Sequence, residues 1–143
     1  MKIAIGSDHR GFDQKNFIIQ QIKKVAWKDV GCFSDKRCDY PEFAHLVVKA
    51  LIAKEADLGV LLCGSGIGMS IAANRFKGIY AGLCWSVEVA KAARQDDNIN
   101  ILVLPADFIS SQQSVDIVHA WLSVTFKGGR YQDRLHQIDE LKK

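Results

Sequence analysis

The stretch "LLCGSGIGMS", residues 61–70, joins a hydrophobic run to a cysteine and three glycines at alternate positions. With the three residues before it, the run reads "LGVLLC" over 58–63 and contains no polar side chain except the final thiol. Such continuous runs are typical of strands that helices cover on both faces of a parallel sheet. The glycines permit a sharp turn, and we predict a helix over 66–75. Strand, turn and helix in this order indicate an α/β fold.

The same alternation continues along the chain on both sides of this stretch. Four other short hydrophobic runs predict strands over 2–6, 28–32, 79–84 and 100–104. Amphipathic segments between and after them predict helices over 12–25, 39–55, 86–95, 110–122 and 131–142. There is no internal repeat or linker. We therefore expect one domain over 1–143: a doubly wound, mostly parallel five-stranded sheet of Rossmann-like type, with helices on both faces and a C-terminal helix.

The composition narrows the classes of protein to consider. Of the 143 residues, 48% are hydrophobic and 24% are charged, so the chain is globular rather than disordered. The net charge of +3 is mild and its basic residues are scattered, which argues against a nucleic-acid partner. The first hydrophobic run stops at Gly6, too early for a secretion signal or a membrane span. We expect a cytoplasmic protein without a membrane partner.

The four cysteines do not form a recognisable metal-binding or disulfide pattern. No CxxC pair occurs, and the four histidines are scattered without zinc-type spacing. In a reducing compartment we expect free thiols and no metal site. For Cys32, Cys38 and Cys84 the favoured interpretation is a small, inert side chain.

In open parallel sheets, ligands bind where the strands end. After the run at 58–63, Gly64, Gly66 and Gly68 would let a ligand approach the backbone, and the next helix would offer it unpaired N–H groups that favour an anion. A dinucleotide is not expected, because Met69 stands where GxGxxG requires its third glycine. A thiol at this position could be a base or nucleophile. The residues alone leave Cys63 open between that role and packing.

Two further segments carry polar residues suited to a ligand. The turn "GSDHRG", residues 6–11, follows the first strand and offers Asp8, His9 and Arg10, although a solvated turn with Asp8 as a helix cap remains the alternative. The segment "GGRYQDR", residues 128–134, places Arg130 and Arg134 on one helix face, which suits a phosphate but also a solvated helix. Together these groups indicate a small phosphorylated ligand with hydroxyls.

The sequence resembles the family of ribose-5-phosphate isomerase type B and the galactose-6-phosphate isomerase subunits. Four blocks in family order carry the resemblance: "IGSDHRGF" (5–12), "DYPEFA" (39–44), "GVLLCGSGIGMSIAANRFKGI" (59–79) and "FKGGRYQDR" (126–134). The resemblance implies interconversion of ribose 5-phosphate and ribulose 5-phosphate, in the pentose phosphate pathway, through a cis-enediolate and without metal or cofactor. The alternatives are a six-carbon sugar phosphate isomerase, a subunit that needs a different partner chain, and a non-catalytic sugar-phosphate binding protein.

The resemblance also implies roles for individual residues. Cys63 would move the proton between C2 and C1, and Ser65 would hydrogen-bond the thiol or the substrate. Asp8 would hold sugar hydroxyls, and Tyr40 would line the pocket. The backbone N–H groups of the turn would stabilise the enediolate, and three side chains would hold the phosphate; these two sets are Gly64, Ser65, Gly66, Ile67, Gly68, Met69 and Ser70, and His9, Arg130 and Arg134.

Five positions depart from the family pattern, among them Ser65, where threonine is more frequent, and Tyr131, where histidine is frequent. Asp96 stands where the family usually has the histidine that opens the sugar ring, and Asp97 where it usually has asparagine. Asp107 stands where many members have a phosphate-contacting arginine from the neighbouring subunit, so we expect Asp107 to point away or its loop to differ. The resemblance implies a homodimer, which could pair into a tetramer, with the region around Asp96 reaching into the partner's pocket.

Overall fold

The computed structural model describes residues 1–141, and they form a single sheet covered by helices on both faces. In chain order the elements are β1 (Lys2–Ser7), α1 (Phe12–Gln21), β2 (Ala26–Asp29), α2 (Tyr40–Ile52), β3 (Leu58–Cys63), α3 (Ile67–Ala73), β4 (Ala81–Leu83), α4 (Val87–Asp97), β5 (Ile101–Pro105), α5 (Ser111–Leu122) and α6 (Arg130–Glu140). The predicted α/β fold is confirmed.

All strand pairs in this sheet are parallel, in the order β2-β1-β3-β5-β4. The chain therefore moves outward from β1 to β2, returns to β3 in the centre, and then adds β4 and β5 on the other side. Every residue of β3 and β5 is buried, as the continuous hydrophobic runs predicted. The order reverses between β1 and β3, which is where ligands bind in such sheets.

Two hydrophobic clusters hold the layers together. On one face, residues of α1, α4 and α5, including the fully buried Trp121, pack on the sheet. On the other face, α2 and α3 contribute side chains such as Val47 and Met69. The helix α5 begins at a capping box in which Ser110 Oγ accepts the Gln113 N–H and the Gln113 side chain accepts the Ser110 N–H. Within the described part of the chain, no helix is long and apolar enough to cross a membrane.

Some predicted boundaries were wrong. The second strand was predicted over 28–32 but covers Ala26–Asp29, because the backbone leaves the extended conformation at Gly31, where φ is 107°. The first helix ends at Gln21 rather than 25, since Ile22 turns out of the helix with ψ of 88° and buries its side chain. The fourth strand is three residues long rather than six. The last helix begins and ends slightly earlier than predicted, and residues 142–143 lie outside the described part.

Parallel strands give the sheet two chemically different ends. We call the end at which the strands finish the carboxyl edge, and the opposite end the amino edge. Residues 8–11, 64–66 and 106–110 follow β1, β3 and β5 at the carboxyl edge. Because connecting helices run back against the strands, α4 and α5 finish at the amino edge. A strand of five or six residues spans about 15–20 Å, which separates the two edges.

Candidate active site

The thiol of Cys63 lies at the carboxyl end of β3, inside the turn that leads to α3. The side chain is 5% exposed, and its Sγ accepts the Gly66 N–H at 3.2 Å. The turn can close on the thiol because Gly66 adopts a left-handed backbone with φ of 74°. A thiol that accepts a backbone N–H is oriented for proton transfer and held in one rotamer.

Ser65 does not bond the thiol in this structure. Its Oγ accepts the Ile67 N–H at 3.2 Å, at the first residue of α3. Of the two partners expected for Ser65, the thiol is instead bonded by the Gly66 N–H, and the substrate remains. Ser65 Oγ remains available as a donor toward a ligand, since a hydroxyl both donates and accepts.

The turn backbone offers a specific subset of donors. The N–H groups of Gly66, Ile67 and Ser70 already donate to Cys63 Sγ, Ser65 Oγ and the Gly66 carbonyl. Within residues 1–141, the remaining N–H groups of the turn, those of Gly64, Ser65, Gly68 and Met69, have no acceptor. Of the seven N–H groups expected to face a ligand, four are thus still available as donors.

Tyr40 lies directly against the turn. A Cβ atom at position 68 would be 2.5 Å from Tyr40 Cζ, so Gly68 is required for the ring to approach this closely. Tyr40 begins α2 and is 39% exposed, with its ring across the first turn of α3. Tyr40 therefore forms a wall beside the turn that carries Cys63.

The turn after β1 is fixed by its own carboxylate. Asp8 is 5% exposed, and its Oδ1 accepts the N–H groups of Arg10 at 2.9 Å and Gly11 at 3.1 Å. His9 faces the opposite side, with Nδ1 at 3.2 Å from the Cys38 carbonyl oxygen and 3.4 Å from the Cys38 N atom. Within the described residues 1–141 no hydrogen bond involves His9 Nε2, which leaves it available to a ligand. Asp8 is both a turn former and a buried carboxylate at the carboxyl edge.

Cys38 lies beside His9, which contacts its backbone. It is only partly buried, and burial together with the neighbouring Cys32 thiol raises its pKa to about 11. At neutral pH the Cys38 side chain is therefore a neutral thiol beside His9. Cys84 fits the expectation of a buried thiol, with a pKa raised by burial to about 12.

Asp107 does not point away from the turn. Its N–H donates to the Gly64 carbonyl at 2.9 Å, and its carboxylate forms an ion pair with the Arg10 guanidinium. Arg10, which the sequence analysis named in the first turn without giving it a role, is thus placed beside Gly64. No sequence pattern signals this pair, because it depends on β1 and β5 lying on either side of β3.

The remaining predicted site residues lie at the amino edge. Asp96 and Asp97 end α4, and Asp96 Oδ1 accepts from Lys127 Nζ at 2.6 Å. Arg130 and Arg134 lie in the N-terminal part of α6. Their guanidinium carbons are 5.3 and 5.5 Å from the centroid of the Tyr131 ring. The Lys127 N–H donates to the Gln95 carbonyl at 3.0 Å, which fixes this loop to the end of α4.

Charge interactions link the residues at the amino edge. The pKa of Asp97 is raised by partial burial and by the neighbouring Asp96 carboxylate, while Arg134 lowers it. The Lys127 pKa is raised because its ammonium bonds Asp96. We call Asp96, Asp97, Lys127, Arg130 and Arg134 the amino-edge cluster.

Within one chain, the predicted site residues therefore form two groups rather than one. Asp8, His9, Tyr40, Cys63 and the turn over 64–70 lie at the carboxyl edge, whereas the amino-edge cluster lies about one strand length away. His9 and the two arginines cannot meet one phosphate inside a single chain. Among residues 1–141 there is no group of three or more side chains that could hold a metal ion.

Comparisons with known proteins identify one family of isomerases that this chain resembles. The sequence model of the family "Ribose/Galactose Isomerase" matches residues 3–138. The ribose-5-phosphate isomerase B of Escherichia coli is 38% identical over 143 residues, which cover 99% of this chain and 96% of that protein.

Solved structures extend this similarity to the fold. A ribose 5-phosphate isomerase from Thermotoga maritima superposes with a TM-score of 0.95 at 45% identity, covering 98% of both chains. The ribose-5-phosphate isomerase B of Mycoplasma genitalium, solved with bound ribulose-5-phosphate, has a TM-score of 0.90 at 39% identity and covers 96% of this chain and 93% of that one.

Proposed function

Because the chain belongs to the ribose/galactose isomerase family, we propose that it interconverts ribose 5-phosphate and ribulose 5-phosphate. The observation that carries the proposal is the buried Cys63 thiol at the end of β3, oriented by the Gly66 N–H. Relatives named for this reaction match nearly the whole chain, and one of them holds ribulose-5-phosphate in its structure.

In the proposed reaction, Cys63 acts as the base. The thiolate removes the proton from C2 of the open-chain aldose, and the electron pair moves through C1 onto the carbonyl oxygen to give a cis-enediolate. The same thiol returns the proton to C1 while the hydroxyl proton of O2 moves to O1, which yields the ketose and restores the thiolate. No atom is gained or lost, so the thiol is the only group that has to change its protonation state at carbon.

The backbone of the turn stabilises the negative charge that develops on oxygen. The unpaired N–H groups of Gly64, Ser65, Gly68 and Met69 are the donors available for this purpose. Loss of one such donor from an oxyanion site commonly costs about 3 kcal/mol of transition-state stabilisation. Asp8 and Tyr40 hold the sugar hydroxyls and the ring against this turn, and His9 offers Nε2 to the phosphate.

Ring opening requires a second base, which we assign to Asp96, assisted by Asp97. A carboxylate is a weaker base than the imidazole usual in the family, because an ordinary aspartate has a pKa near 4. The ammonium of Lys127, 2.6 Å from Asp96, supplies a donor beside it. Asp96 then accepts the proton of the O1 hydroxyl as C1=O forms and the C1–O4 bond breaks, and the Lys127 ammonium donates a proton to the O4 oxygen that leaves.

The separation of the two groups of residues supports a homodimer. Asp96 and the arginines at the amino edge of one subunit would complete the carboxyl edge of the other, so that each dimer contains two composite sites. Isologous dimers supply both sites by symmetry, and pairing of two dimers would give a tetramer. We include a cytoplasmic location in the proposal, because a free catalytic thiol requires a reducing compartment.

Steady-state assays with ribose 5-phosphate and with a six-carbon aldose 6-phosphate test the activity. We expect turnover of the five-carbon sugar and its loss in Cys63→Ala, with Cys84→Ala as the matched control that removes another buried thiol. Preferred turnover of the six-carbon sugar would assign the protein to the other branch of the family. If neither sugar is converted but both proteins bind ribose 5-phosphate equally, the non-catalytic binding protein is the correct interpretation.

A further inference from the structure

Arg10 and Asp107 form an ion pair that covers the glycine next to Cys63. A Cβ atom at position 64 would lie 2.7 Å from Asp107 Oδ2, 2.8 Å from Arg10 Nε and 2.9 Å from Arg10 Cζ. The pair therefore packs on the turn backbone itself rather than extending into solvent. Any ligand in contact with this turn lies next to the Arg10 guanidinium.

The pair is anchored at both ends. The Arg10 N–H is held by the Asp8 carboxylate at 2.9 Å, and Gly11 packs so closely on Leu62 that a Cβ there would be 2.6 Å from Leu62 Cβ. On the other side, Asp107 is fixed by the bond from its N–H to the Gly64 carbonyl. Three turns at the carboxyl edge thus hold one guanidinium in place.

Most donors of this guanidinium are still available. Its side chain is 58% exposed, and within residues 1–141 Asp107 is its partner in the ion pair. An arginine has five N–H donors, and one carboxylate cannot use them all. Exposed ion pairs contribute little to stability, so stability alone gives no reason for this placement.

The charge at the carboxyl edge requires such a group. Asp8 and Asp107 put two carboxylates beside a site proposed to bind a phosphorylated sugar, and both would repel the substrate. Arg10 is the only lysine or arginine in the turns that directly follow β1, β3, β4 and β5. At 32% exposure, the Asp107 carboxylate is neutralised by the guanidinium that covers it.

We infer that Arg10 binds the phosphate of the substrate and that Asp107 is a positioning residue that holds the guanidinium beside Gly64. This inference rests on the proposed function, and it explains how an aspartate is tolerated at position 107. The guanidinium offers the phosphate two parallel N–H donors, a geometry in which arginine exceeds lysine. The pair thus places a cation of the same chain, the Arg10 guanidinium, beside the turn that carries Cys63.

Kinetics of Arg10→Ala and Arg10→Lys test the inference, with Lys24→Ala as a control that removes an exposed positive charge from the amino edge. We expect Arg10→Ala to raise both the KM for ribose 5-phosphate and the inhibition constant of inorganic phosphate by about tenfold or more. Removal of a charged hydrogen bond commonly weakens binding by about this factor. The turnover number should change much less. Arg10→Lys should recover part of the loss. Lys24→Ala should show no loss.

The double variant Arg10→Ala with Asp107→Asn separates direct contact from simple repulsion. Removing the bare carboxylate should lower the KM below that of Arg10→Ala, while leaving it several-fold above that of Asp107→Asn. A double variant equal to Asp107→Asn would overturn the contact with phosphate. So would an Arg10→Ala protein that phosphate inhibits as strongly as it inhibits Lys24→Ala.

Direct titration with inorganic phosphate keeps this test independent of turnover. Weaker phosphate binding by Arg10→Ala, measured by calorimetry, would support the anion site even in a protein without isomerase activity. Conversely, active wild-type protein with unchanged phosphate binding in Arg10→Ala would refute the role of Arg10 and leave the proposed isomerase intact. Circular dichroism of each variant verifies that it is folded.

Discussion

At the scale of single residues, the turns at the carboxyl edge depend on how closely their backbones approach one another. Gly11 has φ of −93°, which any residue can adopt, so its requirement is purely one of space. A Cβ there would meet Leu62 Cβ at 2.6 Å and the Leu62 carbonyl oxygen at 3.0 Å, and neither atom can move without displacing β3.

Gly11→Ala should therefore destabilise the fold by about 1–3 kcal/mol, the usual cost of inserting a methyl group into a well-packed site. Gly78→Ala is the matched comparison, because a Cβ at position 78 has nothing within 4 Å but the residue has φ of 78°. That variant should lose only about 1 kcal/mol from backbone strain. Urea unfolding of both proteins measures the difference, and an equal loss in the two would contradict the clash.

The sequence indicated single residues where chemistry and local pattern coincide. Cys63 became a candidate because a thiol ends a buried strand and precedes a glycine-rich turn, and the family resemblance favoured a catalytic role over packing. The ion pair of Arg10 with Asp107 could not, because its partners are 97 positions apart and meet only through the order of β1, β3 and β5. Hydrogen-bond partners such as that of Ser65 also depend on exact backbone geometry.

At the scale of elements, the end of α4 carries an unfavourable arrangement of charge. Asp96 and Asp97 are the last two residues of a helix whose C-terminal end already carries partial negative charge. Lys127 compensates Asp96 directly, whereas Asp97 lacks so close a cation. Partial burial, and after it the neighbouring Asp96 carboxylate, raise the pKa of Asp97, while the more distant Arg134 only partly offsets them.

Asp97→Asn should consequently stabilise the protein at pH 7. A carboxyl group whose folded-state pKa is raised stabilises the fold fully only below its unfolded pKa, near 4, and this contribution is lost as the pH rises through the folded value. The gain from asparagine should therefore be present at pH 7 and vanish near pH 4. Because Asp97 is exposed and screened by solvent, the gain should stay within about 0.5 kcal/mol.

Thermal melting at the two pH values measures this effect. Asp133→Asn is the control, because Asp133 lies in the first turn of α6, where a negative charge is favourable, and its removal should give no gain at pH 7. A melting temperature of Asp97→Asn that equals the wild type at pH 7, or exceeds it only near pH 4, would contradict the assignment.

Elements were predicted in kind and order but less well in extent. Buried strands such as β3 and β5 have an unbroken hydrophobic signal, so their predicted bounds agree with the structure to within one residue. The start of β2 was missed, because Ala26 and Trp27 lie on an edge strand with little burial, and the hydrophobic run over 25–27 is short and adjoins the predicted helix over 12–25. Tertiary packing of Ile22, not local propensity, ends α1.

At the scale of the whole molecule, the parallel sheet explains why the predicted site residues form two separate groups. Every strand ends at one edge and every connecting helix ends at the other, so residues that follow strands and residues that follow helices are kept apart. The family resemblance implied that Asp96 serves the pocket of a partner, but the sequence did not indicate that Arg130 and Arg134 lie at the same edge as Asp96, because that placement depends on the packing of the segment around Lys127 on the end of α4. A second subunit is the simplest way to bring the edges together.

Subunit complementation tests this arrangement. Cys63→Ala removes the thiol from the carboxyl edge, and Arg134→Ala removes a proposed phosphate ligand from the amino edge, so we expect each homodimer to be nearly inactive. After mixed refolding, one of the two sites in each heterodimer should contain both intact halves. Random pairing then restores roughly a quarter of wild-type activity per subunit.

The matched control pairs two variants from the same edge. Cys63→Ala mixed with His9→Ala leaves every composite site with a defective carboxyl edge, so refolding together should restore nothing. Equal recovery in both mixtures, or recovery in neither when size exclusion shows that heterodimers have formed, would contradict the composite site. Restoration only in the first mixture would require Cys63 and Arg134 to act from different chains, as the opposite edges of this sheet demand.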